Sequence, residues 1–426
     1  MSVELKPGYK QTEVGVIPEE WDAFPLSELG KFKNGINKNS EAFGYGTPFV
    51  NLMDVFGFSS IMYSDSFGLV DTTNAEQQTY DLRKGDVIFI RSSVKPSGVG
   101  LTAVVEEDLS RTVYSGFLIR FRDGGTLGHG FKRHCFYEEG FRKRVIGASS
   151  VSANTNINQE NLKKLLLALP PTKAEQEAIA EALSDADALI ESLELLIAKK
   201  RHIKQGAMQK LLHHKSSDEV RLMRDVSTLK GRIGWQGLKQ TEFTTNEDEP
   251  FLITGMNFKD GAIRWNEVYH ISHARYEMAK DIQLKTGDVL MTKDGTIGKV
   301  LYIDTIPSPG KASLNSHLLL FRPIRESYYP WYLYYQLSSQ RFEDFIELSK
   351  SGTTFFGLSQ AAVGNYPMLL PPMEEQVRIA TILSDMDAEI AGLEAKLAKI
   401  RQLKQGMMQE LLTGKIRLAK LKMENG

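Results

Sequence analysis

We begin with the residues able to do chemistry. A phosphate cradle needs glycines set around a lysine at a fixed spacing. The stretch GTIGKV at 295–300 has neither the length nor the flanking pattern of one. Metal sites need His, Cys, Asp or Glu at ligand spacing. Here His213 and His214 are adjacent, while His134 and Cys135 stand apart from other ligands. The two Pro-Pro pairs, LPPT from Leu169 and LPPM from Leu370, lack the Asn or Asp and the following aromatic of an amino-methyltransferase site. A GxSxG nucleophile turn is absent. The sequence presents no catalytic constellation.

Composition narrows the class. The chain has 426 residues, enough for two or three domains, with 42% hydrophobic and 25% charged residues, as in an ordinary globular protein. Its net charge of −1 argues against a protein that coats nucleic acid by charge alone, while leaving room for local basic patches. No apolar run approaches the roughly 18 residues of a membrane span. The first residues, MSVELKPGYKQTEVG, do not read as a signal peptide. With one cysteine, Cys135, an internal disulfide is impossible, and a reducing cytoplasm is the expected location.

The strongest signal is a repeat. LSDADALIESLELLIAKKRHIKQGAMQKLL from Leu183 matches LSDMDAEIAGLEAKLAKIRQLKQGMMQELL from Leu383 at eighteen of thirty positions. Upstream, LPPTKAEQ answers LPPMEEQ, LRKGDV (82–87) answers LKTGDV (284–289), and PFV at Pro48 answers PFL at Pro250. The chain is thus a tandem duplication with divergent front parts and similar back parts. In the back parts Ile179, Leu183, Ala186, Ile190, Leu193 and Ile197 are spaced alternately by four and three, as are Ile379, Leu383, Met386, Ile390, Leu393, Leu397 and Ile400. That is the seam of a coiled coil. Both helices are expected to begin after a Pro-Pro pair, with Glu175, Glu177, Glu374 and Glu375 in the first turn, where the helix dipole favours anions. Gly414 is a plausible stop. If the helices pair, the second must run back along the first. This predicts an antiparallel ruler with a head at each end and a pseudo-two-fold relation between the heads.

The heads read as α+β. GDVIFIR (85–91), GLTAVV (100–105) and FLIRFR (117–122) are strand-like, as are GDVLMTK (287–293), KVLYI (299–303) and HLLLFR (317–322). The aromatic run at 328–346 reads as helix, with its rings in the core. The expected boundaries are head one 1–168, helix one 169–215, head two 216–369 and helix two 370–426.

Two divergent heads alternating with helices that carry LPP…AEQ or LPP…EEQ, LSDxDxxI and KQGxMQxLL resemble the specificity subunit of type I restriction–modification systems. The resemblance implies that each head is a target recognition domain reading one half of a split double-stranded DNA target, and that the helices are spacers. It implies no catalysis by the chain itself. Two methyltransferase subunits would use S-adenosylmethionine to modify adenine, and two restriction subunits would use ATP and Mg²⁺ to translocate and cut. The duplication fits this independently, since two identical partners need one docking surface presented twice. Rival classes are a single-chain methyltransferase or nuclease, and a coiled-coil scaffold with no DNA role.

Readers of sequence need donors and acceptors on exposed loops, with Lys or Arg nearby for phosphates. The first candidates follow the GDV strand: Arg91, Ser92, Ser93, Lys95 and Ser97 in head one, and Lys293, Asp294, Thr296 and Lys299 in head two. The second precede the LPP helices: Asn154, Thr155 and Asn156, and Lys350, Thr353 and Thr354. A third group, Lys132, Arg133, Arg142, Lys143 and Arg144, suits phosphates, although Glu138 and Glu139 dilute it. For partner docking the most faithfully duplicated positions stand out: Lys204, Gln205, Met208 and Gln209, with Lys404, Gln405, Met408 and Gln409.

Overall fold

The computed structural model describes residues 6–214, 218–232, 237–259, 262–350 and 358–418. The elements that build head one are β1 (Gly30–Asn34), β2 (Ser60–Ile61), β3 (Val87–Ile90), β4 (Ser92–Ser93), β5 (Thr102–Val105), β6 (Leu118–Asp123), α1 (His129–Cys135), α2 (Glu139–Gly147), β7 (Ser150–Val151) and β8 (Thr155–Asn156). The first long helix, α3, runs Lys173–Leu211. Head two contributes β9 (Ser227–Lys230), β10 (Val289–Thr292), β11 (Val300–Tyr302), β12 (Leu318–Pro323), α4 (Pro330–Leu337) and α5 (Gln340–Lys350). The second long helix, α6, runs Met373–Leu411.

The two heads share one sheet plan. Head one orders its main sheet β1-β6-β3-β5-β2, and head two orders its sheet β9-β12-β10-β11. The central strands β3 and β10 are buried along their whole length, which is why each reads as a continuous apolar run rather than an alternating one. The six strand segments expected from sequence are all present, with ends shifted by at most two residues. The aromatic run of head two forms two helices rather than one, broken at Ser338 and Ser339. Tyr328, Tyr332 and Tyr335 are nearly fully buried, so its rings build the core.

Chain contacts divide the molecule into two compact units, Met1–Glu194 with Ala395–Gly426, and Leu195–Glu394. Each unit therefore holds one head, the first half of the helix that follows it, and the second half of the other long helix. Both long helices continue unbroken across the division. Ile179, Ala180 and Leu183 pack into the head-one core together with Leu411 and Leu412. Ile379, Ala380 and Leu383 do the same in head two, with Leu212. Among the expected seam residues, Leu193 and Ile197 are 5% exposed, whereas Leu195 between them is 66% exposed. The spacing by four and three thus marks the buried stripe.

Within each unit the paired helix halves run antiparallel. In the first, Lys404 pairs with Asp187 and Arg401 with Glu194. In the second, Lys204 pairs with Asp387 and Arg201 with Glu394, the latter at 2.6 Å. The LSDxD and KQG motifs are therefore each other's partners. The repeated glutamine also has a structural task. Gln176 accepts from the Gly128 amide at 2.7 Å, and Gln376 from the Tyr329 amide at 2.9 Å. Each buried side chain thereby satisfies the amide that opens a short head helix, α1 or α4.

Candidate nucleic-acid interface

The GDV aspartate sets the frame of each head. Asp86 receives Arg122 in a fork, Nε to Oδ1 at 2.7 Å and Nη2 to Oδ2 at 2.6 Å. Asp288 receives Arg322 in the same way, at 2.6 and 2.7 Å. Each aspartate also accepts a backbone amide, from Arg83 at 2.8 Å or Lys285 at 2.7 Å. Two-point pairing of this kind fixes direction as well as distance, so the start of β3 is tied to β6 and the start of β10 to β12.

The loops after those strands begin from identical backbone bonds. The Arg91 amide donates to Phe117 O at 2.8 Å, and Arg91 O accepts from Ile157 at 2.9 Å. The Lys293 amide donates to His317 O at 2.9 Å, and Lys293 O accepts from Leu358 at 2.9 Å. Gly100 and Gly298 close the loops with bonds to Ile90 O and Thr292 O. Both glycines have positive φ, 64° and 87°. A Cβ there would meet Val145 Cγ1 at 2.4 Å or Ile346 Cδ1 at 2.9 Å, so glycine is required at both. Between these anchors head one has residues 92–99 and head two has 294–297, eight against four.

The extra length in head one builds a small sheet. Ser92 and Ser93 in β4 pair with Asn156 and Thr155 in β8, and β8 pairs with Ser150 and Val151 in β7. Two candidate stretches sixty residues apart in sequence thus form one surface. Lys95, Ser97 and Asn154 are exposed there, and Arg91, Ser92, Ser93 and Asn156 are half-buried. Thr155 is a correction: at 2% exposed it faces inward and is unable to touch a base. In head two, Thr296 and Lys299 are exposed, and Lys293 and Asp294 are half-buried. Asp294 accepts from Lys293 Nζ at 2.9 Å and lies 3.1 Å from His317 Nδ1. Burial opposes ionisation of Asp294, but Lys293 and His317 outweigh it, so its carboxyl stays below the usual range. Thr353 and Thr354 lie outside the described residues, and the side chain of Lys350 is not among those described.

The third candidate group is corrected more broadly. Lys132 is 7% exposed, donates to Gly85 O at 3.0 Å and pairs with Asp123 at 2.9 Å. Its ammonium is consumed by the packing of α1 on the sheet. Arg133 pairs with Glu106 at 2.7 Å. Arg142 clamps the 92–99 loop through Ser97 O and Val99 O, at 3.0 and 2.7 Å. Arg144 holds Leu166 O at 3.2 Å. Burial pulls both guanidinium groups below their ordinary range. Lys143 is exposed and paired with Glu139. Lys132, Arg142 and Arg144 are bound into the head, and Arg133 and Lys143 are each paired with a glutamate, so the run does not stand as a free basic face.

The docking candidates divide. Lys204 and Lys404 are spent on Asp387 and Asp187. Met208 packs on the head-two core and Met408 on the head-one core. All four are half-buried, so part of the duplicated surface they mark is one the chain uses on itself. Gln205, Gln209, Gln405 and Gln409 stay exposed, with Gln409 donating to Glu139 at 3.1 Å. The sequence reading missed Ser150, which enters the candidate face through strand pairing, and Phe117 and His317, which enter through backbone bonds to Arg91 and Lys293. Among the described residues no group of three His, Cys, Asp or Glu is placed to hold a metal ion, and no helix is long and apolar enough to cross a membrane.

Duplicated heads with variable loops on a constant frame, joined by long helices, define a modular reader. The family model for the type I restriction modification DNA specificity domain matches the chain twice, at residues 18–199 and 223–402. The chain belongs to this family of type I specificity subunits. It is similar to the putative type I restriction enzyme MjaX specificity subunit of Methanocaldococcus jannaschii, 26% identical, covering 96% of this chain and 97% of that one. The MjaVIII specificity subunit of the same organism is 28% identical over 62% of this chain and 65% of its own length. The fold matches the S subunit of the type I system of M. genitalium with a TM-score of 0.57 at 16% identity, covering 96% and 99% of the two chains. A structure from work on assembly and conformational transition of the type I restriction–modification system gives 0.58 at 16%, covering 94% and 99%.

Proposed function

We propose that the chain is the DNA-reading subunit that gives a type I complex a bipartite double-stranded target, one half per head. The observation that carries this is the shared anchor of Arg91 and Lys293. The same backbone bonds present loops of different length and different chemistry, serine-rich with a lysine, Lys95, in head one and carrying an aspartate, Asp294, in head two. A common frame with divergent loops suits two readers of different half-sites. Two methyltransferase subunits dock on the duplicated helical regions and use S-adenosylmethionine, and two restriction subunits use ATP and Mg²⁺. The chain itself takes no cofactor in this reading and works in the cytoplasm.

The test exchanges residues 1–168 for the first head of another family member and sequences the methylated sites of the host genome. One half of the motif should change while the other half stays. A motif that changes in both halves, or in neither, would overturn the proposal.

A further inference from the structure

We infer that Asn156 reads an adenine from the major groove, as the centre of a polar row on the small sheet of head one. The inference rests on the DNA-reading role proposed above and adds the residue, the base and the groove.

The register of the sheet sets two rows across its strands. Ser92, Asn156 and Ser150 form one row, and Ser93, Thr155 and Val151 the other. Residues directly opposite share a face, and neighbours along a strand point to opposite faces. Thr155 is buried, so the centre of its row faces the protein. The row Ser92–Asn156–Ser150 therefore faces away from it. Three strands about 4.8 Å apart span roughly 10 Å, which fits a major groove about 12 Å wide and exceeds a minor groove about 6 Å wide. No Asp or Glu occurs in 87–105 or in 145–159, while Arg91 and Lys95 flank the row. The approach to phosphates thus meets no carboxylate from either stretch.

The amide of Asn156 is already oriented. Its Nδ2 donates one N–H to Asn154 O at 3.0 Å. An amide nitrogen has two N–H groups, and the carbonyl oxygen accepts. The second N–H and Oδ1 form a donor–acceptor pair. Adenine offers the matching pair, N7 as acceptor and N6 as donor. Guanine offers two acceptors there, N7 and O6, which would set O6 against Oδ1. Holding the side chain in place beforehand lowers the ordering cost of the contact. The two serine hydroxyls, able to donate or accept, flank the amide for neighbouring bases or ordered water.

The test uses the full chain co-expressed with its methyltransferase subunits. Duplexes carry the target found by methylome sequencing, with each base pair of the first half substituted in turn, and binding is followed by fluorescence anisotropy at fixed salt. The wild-type complex should discriminate in both halves; if it discriminates in neither, the DNA-reading role itself fails. Asn156→Ala should lose roughly 10- to 100-fold of discrimination at one A·T pair of the first half. Asn156→Asp, which keeps the shape but only accepts, should shift preference at that pair toward cytosine, whose N4 donates. Discrimination in the second half and retained methyltransferase show that each variant is folded and assembled. Wild-type discrimination at every first-half position in both variants would overturn the assignment. Uniform weakening across all substituted duplexes would overturn it too, by making Asn156 a backbone contact.

Discussion

The two heads share the anchors of their sheets and loops and differ in the loops held between those anchors. Asp86–Arg122 and Asp288–Arg322 superpose in their chemistry bond for bond. So do the glutamine contacts of Gln176 and Gln376, and the loop-closing glycines. The loops between those fixed points differ in length by a factor of two, and Phe117 in head one stands where head two has His317. Duplication followed by divergence has kept the frame and released the loops.

The sharpest way to break this comparison is to remove the shared aspartates. Taking away one partner of a largely buried pair leaves an uncompensated charge and costs about 3–5 kcal/mol. The heads should not respond equally. Arg122 keeps a second carboxylate, Asp81, at 3.3 Å, whereas among the described residues Arg322 keeps only the carbonyl of Gln283. Asp288→Ala should therefore fall near the upper end of that range and Asp86→Ala near the lower, read from urea midpoints at neutral pH. Equal losses would mean that Asp81 does not compensate.

A second contrast lies beside the long helices. His134 in head one sits 3.2 Å from Ser184 Oγ, and at the corresponding place in head two the Tyr335 hydroxyl donates to Asp387 at 2.9 Å. Burial holds the His134 imidazole down to about 4, with Asp187 pulling it up and Lys404 and Arg133 pushing it further down. A depressed value in the folded state means that unfolding takes up a proton at acid pH. The stability it contributes is complete above about pH 6.5 and is lost as pH falls toward 4, about 3 kcal/mol in all. His134→Tyr, which copies head two, should remove this part of the acid sensitivity. Urea melts of the variant and wild type from pH 7 to pH 4 measure it, and parallel curves would refute it.

The smallest effect expected is at the interhelical locks. Lys404–Asp187 and Lys204–Asp387 are half-exposed, and such pairs contribute about 0.2–1 kcal/mol. Double-mutant cycles with Lys→Met and Asp→Asn should return similar coupling in the two units. A coupling near zero in one unit alone would show that the duplication is only formal there.

Much of the fold could be read from the chain because its signals are local. The spacing by four and three of Ile179 through Ile197 names the buried stripe, and GDV followed by apolar runs names the central strands. What stayed hidden depends on pairing at long range. Strands β4, β7 and β8 have two residues each, too few for any period to show. Only their register joins Ser92 to Asn156 and turns Thr155 inward. The basic run at 132–144 looks like a patch in one dimension, yet Asp123, Glu106 and four backbone carbonyls reach it from elsewhere. Lys204 and Met208 carried a signal, faithful duplication, that has a second cause visible only in the structure. A surface kept twice is also what a chain needs to bind itself.

That self-binding has a consequence for how the protein is made. The unit that contains head two, Leu195–Glu394, is continuous in sequence. The unit that contains head one is not. The Tyr9 hydroxyl bonds Gly414 O at 3.3 Å, Arg417 pairs with Glu20 at 2.9 Å and with Glu175, and Leu411 and Leu412 complete the core around Trp21. At roughly 5–20 residues per second, about 10 to 40 seconds of translation separate Glu194 from the segment that completes its unit. The half that emerges first from the ribosome is thus the last to close, and it waits with part of its core uncovered while the later half folds.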